Sequence, residues 1–71
     1  MIHKTDARRR GMFELGKWVY VRHEAQWFPA VVVWSDGHAR RMCVRLRKRV
    51  LPPPLHDFMY ISAGSPLLVA A

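Results

Sequence analysis

The run Trp27-Phe28-Pro29-Ala30-Val31-Val32-Val33-Trp34 constrains this chain more than any other part of it. Three consecutive β-branched valines lose side-chain freedom in a helix, and a proline inside one removes a hydrogen bond and clashes with the preceding turn. The segment therefore reads as a strand, and its unbroken Val run is that of a buried one. Pro29 has no N–H to give to a ladder, so it is expected at an edge, at a bulge or at the strand's start. Upstream, Lys17-Trp18-Val19-Tyr20-Val21-Arg22-His23 is rich in β-branched and aromatic residues and reads as another strand. Glu24-Ala25-Gln26 makes a tight connection between the two. Downstream, Ser35-Asp36-Gly37-His38 is a turn, because Asp-Gly between two such runs is a strong hairpin signal.

Residues 40–47 form a third strand that alternates cleanly from Arg41. Met42, Val44 and Leu46 face one way; Arg41, Cys43, Arg45 and Arg47 face the other, so one face goes to the core and the other is cationic. Pro52-Pro53-Pro54 halts regular pairing and is expected as an extended polyproline stretch that carries the chain to the far side of the fold. Residues 56–61 read as a short last strand. Ala63-Gly64-Ser65-Pro66 breaks it, and residues 67–71 are an apolar tail that either packs back on the domain or docks on another chain. At the other end, Lys4, Arg8, Arg9 and Arg10 against Asp6 show no periodicity and read as a flexible basic arm. Gly11 and Gly16 bracket a short lead-in. Short strands, tight turns and no helical period predict an all-β fold: a small five-stranded SH3-like barrel over residues 13–62, with an arm over 1–12 and a tail over 63–71. Closure is expected because open edges carrying this much Val and aromatic surface aggregate.

The 71 residues allow one small domain with a thin core, and a hydrophobic fraction of 51% is too high for a disordered tail. The longest uncharged apolar stretch, residues 27–34, is far below the roughly 20 residues of a spanning helix, so no membrane partner is expected. The charged N-terminus is followed by no apolar run, which predicts an intracellular protein, cytoplasmic or nuclear and not secreted.

Phe13-Glu14-Leu15-Gly16-Lys17-Trp18-Val19 followed by Trp27-Phe28-Pro29-Ala30-Val31-Val32 resembles the Tudor and Agenet group of SH3-like barrels. The related PWWP barrels carry a similar second-strand motif, with Gln26 standing here where their first Pro would be. Arg49-Val50-Leu51-Pro52-Pro53-Pro54 resembles the Arg and Pro-rich close of Agenet sequences, so the likeness runs over residues 13–54. It implies the fold and, in Tudor domains, a cage of about four aromatics for methylated Lys or Arg. The cage positions fall on His23, Phe28, Leu46 and Arg49. One aromatic in four, with an Arg where a cation would dock, is not a cage, and a protein of net charge +7 repels a basic tail. A methyl-lysine or methyl-arginine reader is therefore the third reading.

Charge placement leads to the first. Arg40, Arg41, Arg45, Arg47, Lys48 and Arg49 put six of the 12 basic residues within ten positions and without an acid. Each phosphate that such a surface neutralises releases a counterion, and Arg adds forked contacts and stacking. The expected function is a non-catalytic nucleic-acid-binding module, for RNA or DNA, that contacts the phosphate backbone through the Arg-rich strand face and through Arg8, Arg9 and Arg10. Phe28, Trp34 and Phe58 read mainly as core, whereas Tyr20 and Trp27 are the exposed aromatics; Tyr20, Trp27 and Phe28 are the aromatic contact candidates. The second reading is a small adaptor or inhibitor on an acidic protein, anchored by Trp27, Tyr20 and the Leu67-Leu68-Val69 tail.

No cofactor, metal or small-molecule substrate is expected. His3, His23, His38 and His56 match no ligand spacing, and the single Cys43 supplies no thiolate pair. Catalysis has no placed dyad either. His56 and Asp57 are neighbours, and adjacent strand residues point to opposite faces.

Overall fold

The computed structural model describes residues 11–71. The greater part of the expected arm, including Arg8, Arg9 and Arg10, lies outside the described residues. Five strands follow: β1 (Trp18–His23), β2 (Gln26–Asp36), β3 (Arg41–Leu46), β4 (Phe58–Ser62) and β5 (Leu68–Ala70). They form one sheet in the order β4-β3-β2-β1-β5, every neighbouring pair antiparallel. The chain is all-β, with no helix among the described residues. The expected closure into a barrel is not seen: the pairings run in a line from β4 to β5, so the sheet is open.

Alternation decides what each strand buries. Val19 and Val21 of β1, Phe28, Ala30 and Val32 of β2, Met42, Val44 and Leu46 of β3, Ile61 of β4 and Leu68 of β5 form one buried cluster on the inner face. Met12, Phe13, Leu51 and Leu55 pack against it from the lead-in and the β3–β4 loop. Each fully buried side chain of this size contributes about 1.5–3 kcal/mol, and Phe28 and Met42 are the largest of them.

Pro29 lies within the central strand, opposite Tyr20. Its carbonyl accepts from the Arg47 N–H at 2.8 Å, so its nitrogen faces the same side, just past the point where β3 ends at Leu46. Pro29 has no N–H to return to the Arg47 carbonyl, so the β2–β3 ladder stops at this pair. The position is a local edge of β2, which pairs with β1 over residues 26–31 and with β3 over residues 30–36.

The β1–β2 connection is two residues long, and both Glu24 (φ 48°) and Ala25 (φ 65°) are left-handed, the backbone of a primed hairpin turn without its usual glycine. The next turn lies later than Asp-Gly suggests, because Ser35 and Asp36 still belong to β2. Asp36 Oδ1 accepts from the N–H groups of His38 (2.9 Å) and Ala39 (3.2 Å), and Arg40 closes the loop at φ 53°.

Two expectations about the second half are corrected. The proline run is a turn, not an extended stretch: the Leu55 N–H donates to the Pro52 carbonyl at 2.9 Å. The chain then comes back beside β3 and does not cross over, since β4 pairs with β3. The C-terminal segment is a strand of the sheet. Tyr20 pairs with Val69 and Val21 with Leu68, and the Arg22 N–H donates to the Leu67 carbonyl at 2.8 Å. Of the two fates open to the tail, packing back is the one adopted, because Leu68 completes the inner face.

Candidate nucleic-acid interface

The outer face of the sheet carries what the core does not take. Register lays Phe58 of β4, Arg45 of β3, Val31 of β2 and Trp18 of β1 in one row. The next row holds Tyr60, Cys43 and Trp34, and the next Ser62, Arg41 and Asp36. Toward the other edge, Val69, Tyr20 and Pro29 align, as do Arg22 and Trp27. Six aromatics therefore stand on this face (Trp18, Tyr20, Trp27, Trp34, Phe58 and Tyr60), each 41–63% exposed.

Trp34 reaches this face only through a bulge. Phe28, Ala30 and Val32 point inward, and strict alternation would send Trp34 after them. The register slips between Val32, opposite Val44, and Trp34, opposite Cys43, which leaves Val33 as the extra residue. The expectation that Trp34 is core is thereby overturned, and it is 45% exposed. Phe58 is likewise corrected: it is 55% exposed because it stands opposite Arg45. Phe58-Met59-Tyr60-Ile61 is apolar on both faces, so its own sequence has no phase; β3 sets it.

Cations lie beside these rings. The Arg45 guanidinium is 5.8 Å from the Phe58 ring centre, Arg41 is 5.7 Å from Tyr60, and Arg22 is 5.9 Å from Trp27. Arg45–Phe58 and Arg22–Trp27 are direct cross-strand partners, so register itself holds each cation against its ring.

The six clustered basic residues, all exposed, divide between the two ends of β3. Arg40 and Arg41 lie at its start. Arg45, Arg47, Lys48 and Arg49 lie at its end, roughly 13 Å away by strand rise. With Leu46 and Asp57 the latter four line an open hollow of about 320 Å³. Lys48 Nζ sits 4.8 Å from the centre of the Phe28 ring. Phe28 itself has no exposed surface, so as a contact candidate it is replaced by the rings of the outer face. Tyr20 and Trp27 are exposed on that face as expected. Sequence reasoning misses Trp18, Arg22, Trp34, Phe58 and Tyr60; the local signals for them are the alternation of Trp18 and Arg22 with Val19 and Val21 and the i, i+2 spacing of Phe58 and Tyr60.

Cys43 belongs to the outer face, yet it is only 6% exposed. Of the positions that the Tudor resemblance marks, Phe28 and Leu46 are buried in the core. The His23 side chain is tucked at the end of β1, its Nε2 buried and 3.9 Å from the Glu24 carboxylate. No three His, Cys, Asp or Glu side chains gather as a metal-ligand set among the described residues, and these include no helix long and apolar enough to cross a membrane.

No family model, curated protein or solved structure matches this chain. The fold defines it as a small, open, antiparallel β-sheet domain.

Proposed function

We propose that this chain is a non-catalytic nucleic-acid-binding module whose contact surface is the outer face of the sheet. The observation that carries the reading is the interleaving on that face, where Arg41 and Arg45 stand against Tyr60 and Phe58. Guanidinium groups held by register are ready to fork onto phosphate oxygens at little further cost in side-chain entropy. Arg47, Lys48 and Arg49 extend the positive surface past the end of β3, and Arg8 to Arg10 would add to it.

Fluorescence anisotropy with labelled oligonucleotides, from about 50 to 300 mM salt, tests this. Micromolar or tighter binding at the low end, weakening at least about 40-fold across the series for a single strand or about 130-fold for a duplex, corresponds to three or more phosphates contacted. Binding weaker than that at 50 mM, or without salt dependence, refutes it.

A second reading, docking on an acidic protein, is favoured by the exposed Tyr20, Trp27 and Val69 on the β1 side of the face. It has lost Leu68 as an anchor, since that side chain is buried beneath the sheet. Trp27→Ala would harm such a protein contact more than it harms phosphate binding.

A further inference from the structure

We infer that the outer face takes single-stranded nucleic acid in preference to duplex, stacking unpaired bases on Phe58 and Tyr60 beside Trp34 while Arg41 and Arg45 hold the flanking phosphates. This rests on the reading that the face binds nucleic acid at all.

The rings are the reason. Phosphate contacts alone need only cations, and a face selected for those would leave its aromatics inside. Here Phe58 is 55% and Tyr60 63% exposed, while the inner side of the same strand supplies Ile61 to the core. Exposed aromatic surface on this scale is costly unless something covers it. The five Arg and Lys residues at 41, 45, 47, 48 and 49 indicate that the cover is anionic. A partner that is both anionic and rich in flat apolar surface is a nucleic acid with its bases accessible.

Base geometry then selects the strand state. Bases in a duplex stack on one another at about 3.4 Å and are paired at their edges, so no π-face is open to a side chain. Phe58 and Tyr60 stand two residues apart on β4, roughly 6.8 Å along the strand. That is twice the duplex base spacing, so neighbouring bases reach both rings only in an extended, unstacked chain. Trp34 on β2 meets Tyr60 edge to face, its ring centre 5.9 Å away at 77°, so it walls the side of the two-ring platform and does not extend it. Arg41 and Arg45 lie on the strand between, on either side of Cys43, where a backbone running along β3 would pass them in turn. Stacking of this kind tolerates any sequence, because every base has a π-face. No helix is present among the described residues to enter a major groove.

The test uses the full chain and three fluorescein-labelled probes: a twelve-nucleotide oligo-U RNA, oligo-dT of the same length, and a twelve-base-pair duplex. We expect both single strands to bind at least tenfold tighter than the duplex at about 100 mM salt. Tyr60→Ala and Phe58→Ala should each weaken single-strand binding about tenfold with the salt slope unchanged, and Tyr60→Phe should restore it. Arg45→Ala should instead lower the log–log salt slope by about 0.7. All three positions are exposed, and far-UV circular dichroism confirms that each variant stays folded. Equal binding of duplex and single strands, with the aromatic variants neutral, overturns this inference and leaves the nucleic-acid reading standing. No binding of any probe overturns both.

Discussion

Trp34 and Tyr60 meet edge to face above Cys43, ring centres 5.9 Å apart at an interplanar angle of 77°. Each is the cross-strand partner of Cys43, one on β2 and the other on β4. Those strands are separated by two interstrand spacings, roughly 9.5 Å, so the rings lean toward each other across β3. That lean accounts for a cysteine on the outer face that is only 6% exposed.

Cys43 should therefore react slowly with a thiol reagent in the folded protein and at the free-thiol rate in denaturant. Trp34→Ala or Tyr60→Ala should speed the native reaction by at least tenfold without unfolding the sheet. A native rate indifferent to both substitutions would mean that the rings are not the cover.

Phenylalanines 28 and 58 stand in opposite environments on neighbouring parts of one sheet. Phe28→Ala removes a fully buried ring and should cost about 3–5 kcal/mol, enough to unfold a domain this small. Phe58→Ala should cost less than about 1 kcal/mol. Urea unfolding followed by circular dichroism distinguishes the two, and equal losses would contradict the placement of Phe58.

The β1–β2 turn stores strain that can be relieved. Ala25 holds φ at 65°, where a Cβ costs about 1–2 kcal/mol, and glycine returns part of that as unfolded-state entropy. Ala25→Gly should raise stability by about 0.5–1 kcal/mol, a rise of a few degrees in the thermal midpoint. Ala25→Val should lower it, because a β-branched side chain suits that backbone least.

Gly11 and Gly37 make a second contrast. A Cβ on Gly11, already at φ 76°, would strike the Gly64 backbone, 2.8 Å from its Cα with its nitrogen nearer still. Backbone cannot move aside as a flexible side chain can, so Gly11→Ala should cost at least about 2 kcal/mol. A Cβ on Gly37 meets open space, and Gly37→Ala should stay within about 0.5 kcal/mol of neutral. Thermal melts of the two variants side by side decide whether residue 11 is packed against the turn after β4.

Much of this fold follows from local pattern. The Val run and Pro29 ruled out helix, and the clean alternation after Arg41 assigned Met42, Val44 and Leu46 to the core and Arg41 and Arg45 to the outer face. Val19 and Val21 likewise placed Tyr20 outward. Each of these rests on side-chain direction within one strand, which a period of two residues encodes directly.

What tertiary structure decided depends on a partner strand. Trp34 changed faces because β2 carries one more residue than β3 opposite it, and neither strand's own pattern records such a slip. Phe58 and Tyr60 turned outward because Arg45 and Cys43 oppose them; Leu68 turned inward because β1 had an edge to offer and the core a place to fill. Sequence by itself determined that the chain makes strands and that one of them is cationic on its outer side. Only the pairing of those strands, one with the next, gathered the aromatics and arginines onto a single surface, since register is a property of two strands together.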